Sequence, residues 1–275
     1  MIPIPGPPGR FGLRNLAQFI RDPLGFLRRH TDEYGDVVRT KVMGTDFYLI
    51  NHPDHIEEAL VRKAKVMGRD QYIEILTYTL GLGLLTSDGA LWKRQRKLMA
   101  QAFTPRRIRS YADTMVEVVQ GDLHWRPDEV INVHGEMSRL TMEVVARVLF
   151  GTGLDARDIE RVHDAMAVVN RYYANSPEAI LQIPPRVPTP RNLRLRQAVR
   201  QIDEVVYRMI ARKRDEGLGD DLLSTLIAAC DDGGQGMTDQ QLRDEAVTLF
   251  LAGHETTALA LAYTLYLISK SPEVE

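Results

Sequence analysis

A single cysteine, Cys230, stands among 275 residues, which excludes an intrachain disulfide framework and any multi-cysteine zinc or iron–sulfur site. That usage fits a reducing, cytoplasmic home. Long apolar runs are missing as well: the richest stretch, Thr248 to Ile268, is broken by Gly253, His254 and Glu255, so no membrane-spanning helix is expected. The start MIPIPGPPGRFG has four prolines and no basic segment leading into an apolar core. It therefore reads as an extended proline-rich arm over residues 1–20 and not as a secretory signal. Excess charge of one sign is also absent, with 35 basic against 37 acidic side chains and a net charge of -2, which speaks against a nucleic-acid partner. No repeat of about 20 to 50 residues is visible, which argues against a solenoid.

What is present is a soluble globular composition, 44% hydrophobic and 26% charged. At roughly 150 residues per domain the length allows one large domain or two ordinary ones. Strand-type patterning is confined to VVRTKV and DFYLI around the Met43-Gly44-Thr45 turn, a small hairpin. The rest follows the helical period. Asp22-Pro23 opens a helix that Gly35 stops, and His52-Pro53-Asp54 opens another toward Lys63. Behind the glycine-rich stretch GLGLLTSDG a helix runs from near Asp88 to Phe103. Further helices are expected from Pro105 to Leu123, Gly135 to Phe150, Ala156 to Ala174, Arg191 to Glu216 and Asp220 to Cys230. Five prolines between Ser176 and Arg191 mark a linker, either a mobile lid or a plain connector.

Thr238 and Gln241 form a capping-box pattern at the start of a helix reaching Lys270. At about 1.5 Å per residue such a helix spans roughly 45 to 50 Å, the width of a large domain. Inside it Ala252-Gly253-His254-Glu255-Thr256-Thr257 interrupts an apolar run. Gly253 costs about 1 kcal/mol relative to alanine, and a buried Glu255 needs a partner or water. Ala252 and Thr256 share one face, so a flat ligand could lie on the small residues within reach of the Thr256 hydroxyl. Equally, the threonine could bond back to a carbonyl and Glu255 could sit in an ion pair. His254-Glu255 lacks the second histidine of the zinc-protease helix, since Ala258 holds that position. On the earlier helix Trp92 and Arg96 are one turn apart, an indole donor beside a guanidinium fork that suits a carboxylate-bearing ligand. A core tryptophan beside a solvated basic face would give the same spacing.

Together, W-x-x-x-R at Trp92 and Arg96 and A-G-x-E-T-T from Ala252 about 150 residues later resemble the cytochrome P450 haem-thiolate monooxygenases. The resemblance runs along the whole chain. It implies a mainly α fold with a small β-sheet, a single domain over 1–275, and the N-terminal part of the family's fold through the long central helix, 238–270. It implies haem b as cofactor, with Trp92 and Arg96 on its propionates and Ala252 and Gly253 lining its distal face. Glu255 and Thr256 would deliver protons during dioxygen activation, with Thr257 as a packing neighbour. The implied reaction inserts one oxygen atom from dioxygen into an apolar small-molecule substrate. Electrons would come from NAD(P)H through a ferredoxin or flavoprotein reductase, and Lys93, Arg94, Lys97, Arg106 and Arg107 could face such an acidic donor. The 176–191 linker would join two lid helices, and 68–85 would line the pocket.

The family's ligand cysteine lies well after the central helix, together with a glutamate–arginine pair, and neither region occurs here. Cys230 precedes that helix and is expected to be a small core residue, so no metal ligand is assigned. Glu136 and Arg139 match the E-x-x-R spacing on the wrong side of the central helix and read as a surface pair. With Pro272 placed to open a new helix just before the last residue, the chain is expected to be truncated and inactive alone. The alternative is a short non-enzymatic helical protein that binds an apolar ligand or partner through the remnant pocket.

Overall fold

The computed structural model describes residues 3–9, 11–42, 44–68, 71–126, 128–151, 155–175, 183–271 and 273–274. The chain forms two compact units, residues 1–68 and 69–275. Residues 176–182 of the linker expected over 176–191 lie outside the described residues.

The first unit carries α1 (Leu13–Arg21), α2 (Pro23–Tyr34), the hairpin β1 (Val37–Val42) and β2 (Thr45–Ile50), and the short α3 (Pro53–Glu57). Helix α2 begins where its sequence says: Asp22 accepts from Gly25 N, Pro23 occupies the first turn, and Gly35 follows the last residue. The strands pair antiparallel from Val37↔Ile50 to Val42↔Thr45, closed by Gly44 at φ 85°, a left-handed conformation that suits glycine. The arm expected over 1–20 is extended only at its start. From Leu13 it is helical, because Asn15, a buried polar residue, docks α1 on β1 by donating to Thr40 Oγ1 at 3.1 Å and Lys41 O at 3.2 Å. No proline stands beyond Pro8 to prevent it.

The second unit is mainly helical among the described residues: α4 (Gln71–Leu80), α5 (Gly89–Ala100), α6 (Pro105–Asp122), α7 (Val133–Phe150), α8 (Ala156–Asn175), α9 (Pro190–Glu216), α10 (Leu222–Ala228) and α11 (Asp239–Ile268). Helix α11 starts at the expected capping box, with Gln241 N donating to Thr238 Oγ1 and Thr238 N to Gln241 Oε1. It packs chiefly on α7, while α8 packs on α9. The core between them holds Phe150, Met166, Leu195, Ile202, Leu223, Leu226 and Phe250, and the rings of Phe150 and Phe250 lie 5.3 Å apart. Helix α10 ends at Ala228, before the expected Cys230. Ala229 turns inward and Cys230, bridged antiparallel to Gly236, turns outward, so the cysteine expected in the core is exposed.

Residues 242–250 in the first half of α11 are almost wholly buried, whereas its second half exposes Leu259, Leu261, Tyr263, Tyr266, Leu267 and Ile268. Stability should therefore reside in the first half. Phe250→Ala is expected to lower unfolding free energy by about 3–5 kcal/mol, and Leu267→Ala by under about 1 kcal/mol, in urea titrations followed by circular dichroism.

Candidate functional site

Helix α5 presents Trp92 half-buried and Arg96 exposed, with the guanidinium carbon 5.2 Å from the indole ring centre. Among the described residues no carboxylate is paired with Arg96. Its neighbours differ. Arg94 reaches Asp231 at 2.7 Å and the carbonyls of Gln235 and Gly236 at 3.0 Å, and Lys97 reaches Asp232 at 2.6 Å. The Arg94 hydrogen bond, followed by that from Gln235 N, holds the Asp231 carboxyl below its ordinary range. Arg107 meets Asp220 at 3.3 Å. Three members of the expected basic face are thus occupied within the chain, while Lys93 and Arg106 stay exposed.

On α11 the six motif residues point in different directions. Gly253 faces α7, where an added Cβ would lie 3.0 Å from Val145 Cγ2, so the glycine lets the two helices approach closely. His254 is buried between α7 and α8. Glu255 is half-buried, and its Oε2 accepts from Asn170 Nδ2 of α8, an amide where the ion-pair reading had a cation. Ala252 and Thr256 are exposed on a common stripe, and Thr256 Oγ1 donates to Ala252 O at 2.7 Å. Thr257, expected to pack, is exposed. Ala258 is buried, and no group of three metal-binding side chains occurs among the described residues.

Sequence reasoning passed over the polar groups beneath this motif. The Ser138 hydroxyl of α7 lies 3.1 Å from His254 Nε2 and 3.2 Å from His163 Nε2 of α8. A hydroxyl has one proton, so it donates to one ring and accepts from the other. His254 Nδ1 has no partner among the described residues. Burial, then the positive fields of His163 and His134, push His254 down to about 4. Asp244 and Glu245 are buried as well, accepting from Leu82 N at 2.8 Å and Leu84 N at 2.9 Å. Burial raises the Glu245 carboxyl to about 7. A visible signal existed for these two, an adjacent acid pair directly before the apolar run that starts at Ala246, and a glycine-rich segment elsewhere in the chain.

The chain matches the family described as cytochrome P450 over residues 4–275, and it belongs to that family. It is 31% identical over 93% of its length to a cyclooctat-9-en-7-ol 5-monooxygenase of Streptomyces melanosporofaciens, covering 56% of that protein. It is 30% identical over 94% of its length to a pentalenene oxygenase of Streptomyces avermitilis, covering 58%. The chain thus spans a little over half the length of these relatives. In fold it is similar to a retinoic acid-bound cyanobacterial protein, CYP120A1, with a TM-score of 0.81 and 23% identity, over 99% of this chain and 62% of that one. The mainly α architecture with a two-stranded sheet is the family's.

The groups present on these helices fit a flat, carboxylate-bearing cofactor. Arg96 is exposed beside an indole donor, and α11 offers a surface of small side chain at Ala252. Cys230 sits on a turn tied to the far side of α5 through Asp231 and Arg94 and takes no part in that surface.

Because His254 titrates lower in the fold than its ordinary 6.5, its contribution to stability is complete above about pH 6.5 and is lost as pH falls toward 4. The loss should be about 3 kcal/mol. Over the same window the raised Glu245 carboxyl works in the opposite direction, so the His254 share is read as a difference: in urea titrations at pH 7 and pH 4, His254→Gln should change in stability more favourably on acidification than the wild type by about 3 kcal/mol, and equal changes in the two proteins would refute it.

Proposed function

We propose that the protein is a haem-dependent monooxygenase that inserts one oxygen atom from dioxygen into an apolar organic substrate. The observation that carries the reading is the outward stripe of Ala252 and Thr256, beside a half-buried Glu255, in a chain of the cytochrome P450 family. The activity is proposed for the whole protein, with the ligand thiolate supplied from outside these 275 residues. The residues described here are not expected to act alone. Names of relatives that are oxygenases, one of them acting on pentalenene by its name, support the reaction class and the apolar substrate.

Haem, when bound, supplies the redox chemistry of dioxygen activation. Trp92 Nε1–H and Arg96 would hold its propionates, each charge-assisted bond being worth about 1.5–3 kcal/mol. The Thr256 proton is directed at Ala252 O. Its oxygen lone pairs are left for the open face, where they accept from a water and orient it. Glu255, fixed at one oxygen by Asn170, exchanges protons between solvent and that water. Gly253 acts through packing, since its missing side chain faces Val145. Electrons would come from NAD(P)H through a ferredoxin or flavoprotein reductase, for which Lys93 and Arg106 are the free cations of the expected docking face. A cytoplasmic setting is proposed from the single cysteine.

The alternative of a non-enzymatic protein that binds an apolar ligand or partner draws on the exposed Leu259, Tyr263 and Leu267. It predicts no dependence of any activity on Thr256. In the whole protein Thr256→Ala should keep NAD(P)H consumption while product per electron pair falls several-fold; undiminished coupling would overturn proton delivery. Arg96→Ala should weaken haem retention by about 1.5–3 kcal/mol, read as haem occupancy after dialysis.

A further inference from the structure

Helix α5 carries cations expected to meet an acidic electron donor, and the turn 230–236 is docked on two of them. Cys230 and Gly236 pair across its base. Asp231 N donates to Gln235 O at 3.0 Å, and Gly234 N donates to Asp231 O at 2.9 Å with Gly234 at φ 76°. The Asp231 side chain completes the closure: its Oδ1 accepts from Gly233 N at 3.0 Å and Gln235 N at 2.9 Å, and its Oδ2 accepts from Arg94 Nε at 2.7 Å. Arg94 Nη2 grips the same turn by the carbonyls of Gln235 and Gly236. The turn is therefore closed and held on α5 without help from its second acid.

That second acid is Asp232. Its side chain is 88% exposed, and both of its carboxylate oxygens accept from Lys97 Nζ at 2.6 Å. Among the described residues this carboxylate has no other hydrogen bond. Lys97 is itself largely exposed and lies one turn after the exposed Lys93 on α5.

The two adjacent acids thus differ in kind. Asp231 is engaged by the fold, whereas Asp232 holds out a carboxylate to a lysine as an aspartate or glutamate of a partner protein would. An exposed pair of this sort contributes little to stability, because water competes for both charges and a flexible lysine must be ordered. Its effect falls on association, since an incoming carboxylate gains Lys97 only by displacing the one already there.

We infer that Asp232 is an intramolecular competitor at the cationic face of α5, occupying Lys97 so that an acidic electron-carrier protein docks at Lys93 and Lys97 only by displacing it. Inserting one oxygen atom from dioxygen takes two electrons, so a one-electron carrier must leave between deliveries, and a competitor for the lysine favours that release. The carrier part rests on the monooxygenase reading; the hold of Asp232 on Lys97 does not.

Amine acylation of residues 1–275 with acetic anhydride, read by peptide mass spectrometry, tests that hold. Asp232→Asn should raise the reactivity of Lys97 about threefold and leave Lys93 unchanged. Equal Lys97 rates in the two proteins would overturn it. Docking is read in the haem-loaded whole protein as the Kd for an acidic plant-type ferredoxin at low ionic strength. Asp232→Asn should tighten it about three- to fivefold. Glu216→Gln, which removes the same charge from an exposed pair with Arg212 on α9, should change it by less than about 1.5-fold. In a Lys97→Gln background Asp232→Asn should change nothing. Equal tightening by Asp232→Asn and Glu216→Gln, or tightening that persists without Lys97, would overturn the competition. A ferredoxin bound by none of these proteins, with acylation as expected, would overturn the electron-carrier reading and the docking role with it.

Discussion

The close contact of α11 with α7 is the constraint on which the rest of the second unit depends. Gly253 sets it, because any side chain there would press on Val145. Thr141 of α7 reinforces it by reaching the His254 carbonyl at 3.1 Å, and the Phe150 and Phe250 rings meet a turn earlier. Once this edge of α11 faces α7, the helical period distributes the remaining motif residues without further instruction. His254 falls inward to Ser138, Glu255 falls toward Asn170 of α8, and Ala252 with Thr256 falls on the outward stripe. One glycine thus sorts these four neighbours into buried, half-buried and exposed positions.

The polar groups buried beside this contact follow a common rule. Each is met by a group that leaves α11 free of rearrangement: Asp244 and Glu245 by loop amides, Arg243 by Asp203, His254 by a serine shared with a second histidine. Loop amides are preorganised donors on short tethers, so they satisfy a carboxylate without the entropy of ordering a long cationic side chain. The result is a helix whose buried face sets paired polar groups among Leu242, Val247 and Phe250, while its second half exposes Leu259, Tyr263 and Leu267.

Much of this was legible from the sequence, for reasons of local physics. Proline at first turns, the Thr238–Gln241 capping box and glycine after Tyr34 are decided within a few residues, and the helices and hairpin follow their signals closely. Helix α1 went unread because its driving interaction, Asn15 with Thr40 and Lys41, spans 25 residues and buries a polar side chain. Cys230 was misplaced for a related reason: a helix ending two residues early reverses which neighbour faces inward.

The sequence by itself determined which residue types occupy the two motifs, their spacing along helices, and hence the family. Only tertiary structure decided which way each side chain points. Spacing places Ala252 and Thr256 on one stripe, but whether that stripe is open depends on where α7 lies. Arg94 and Arg96 look alike in the chain; one is consumed by Asp231, about 140 residues away, and the other is left on the indole. The partners of Glu245 and Asp244 lie about 160 residues back, in a glycine loop whose backbone, not its side chains, does the binding. No side-chain pattern encodes a main-chain donor, and so that contact could be found only once the chain was folded.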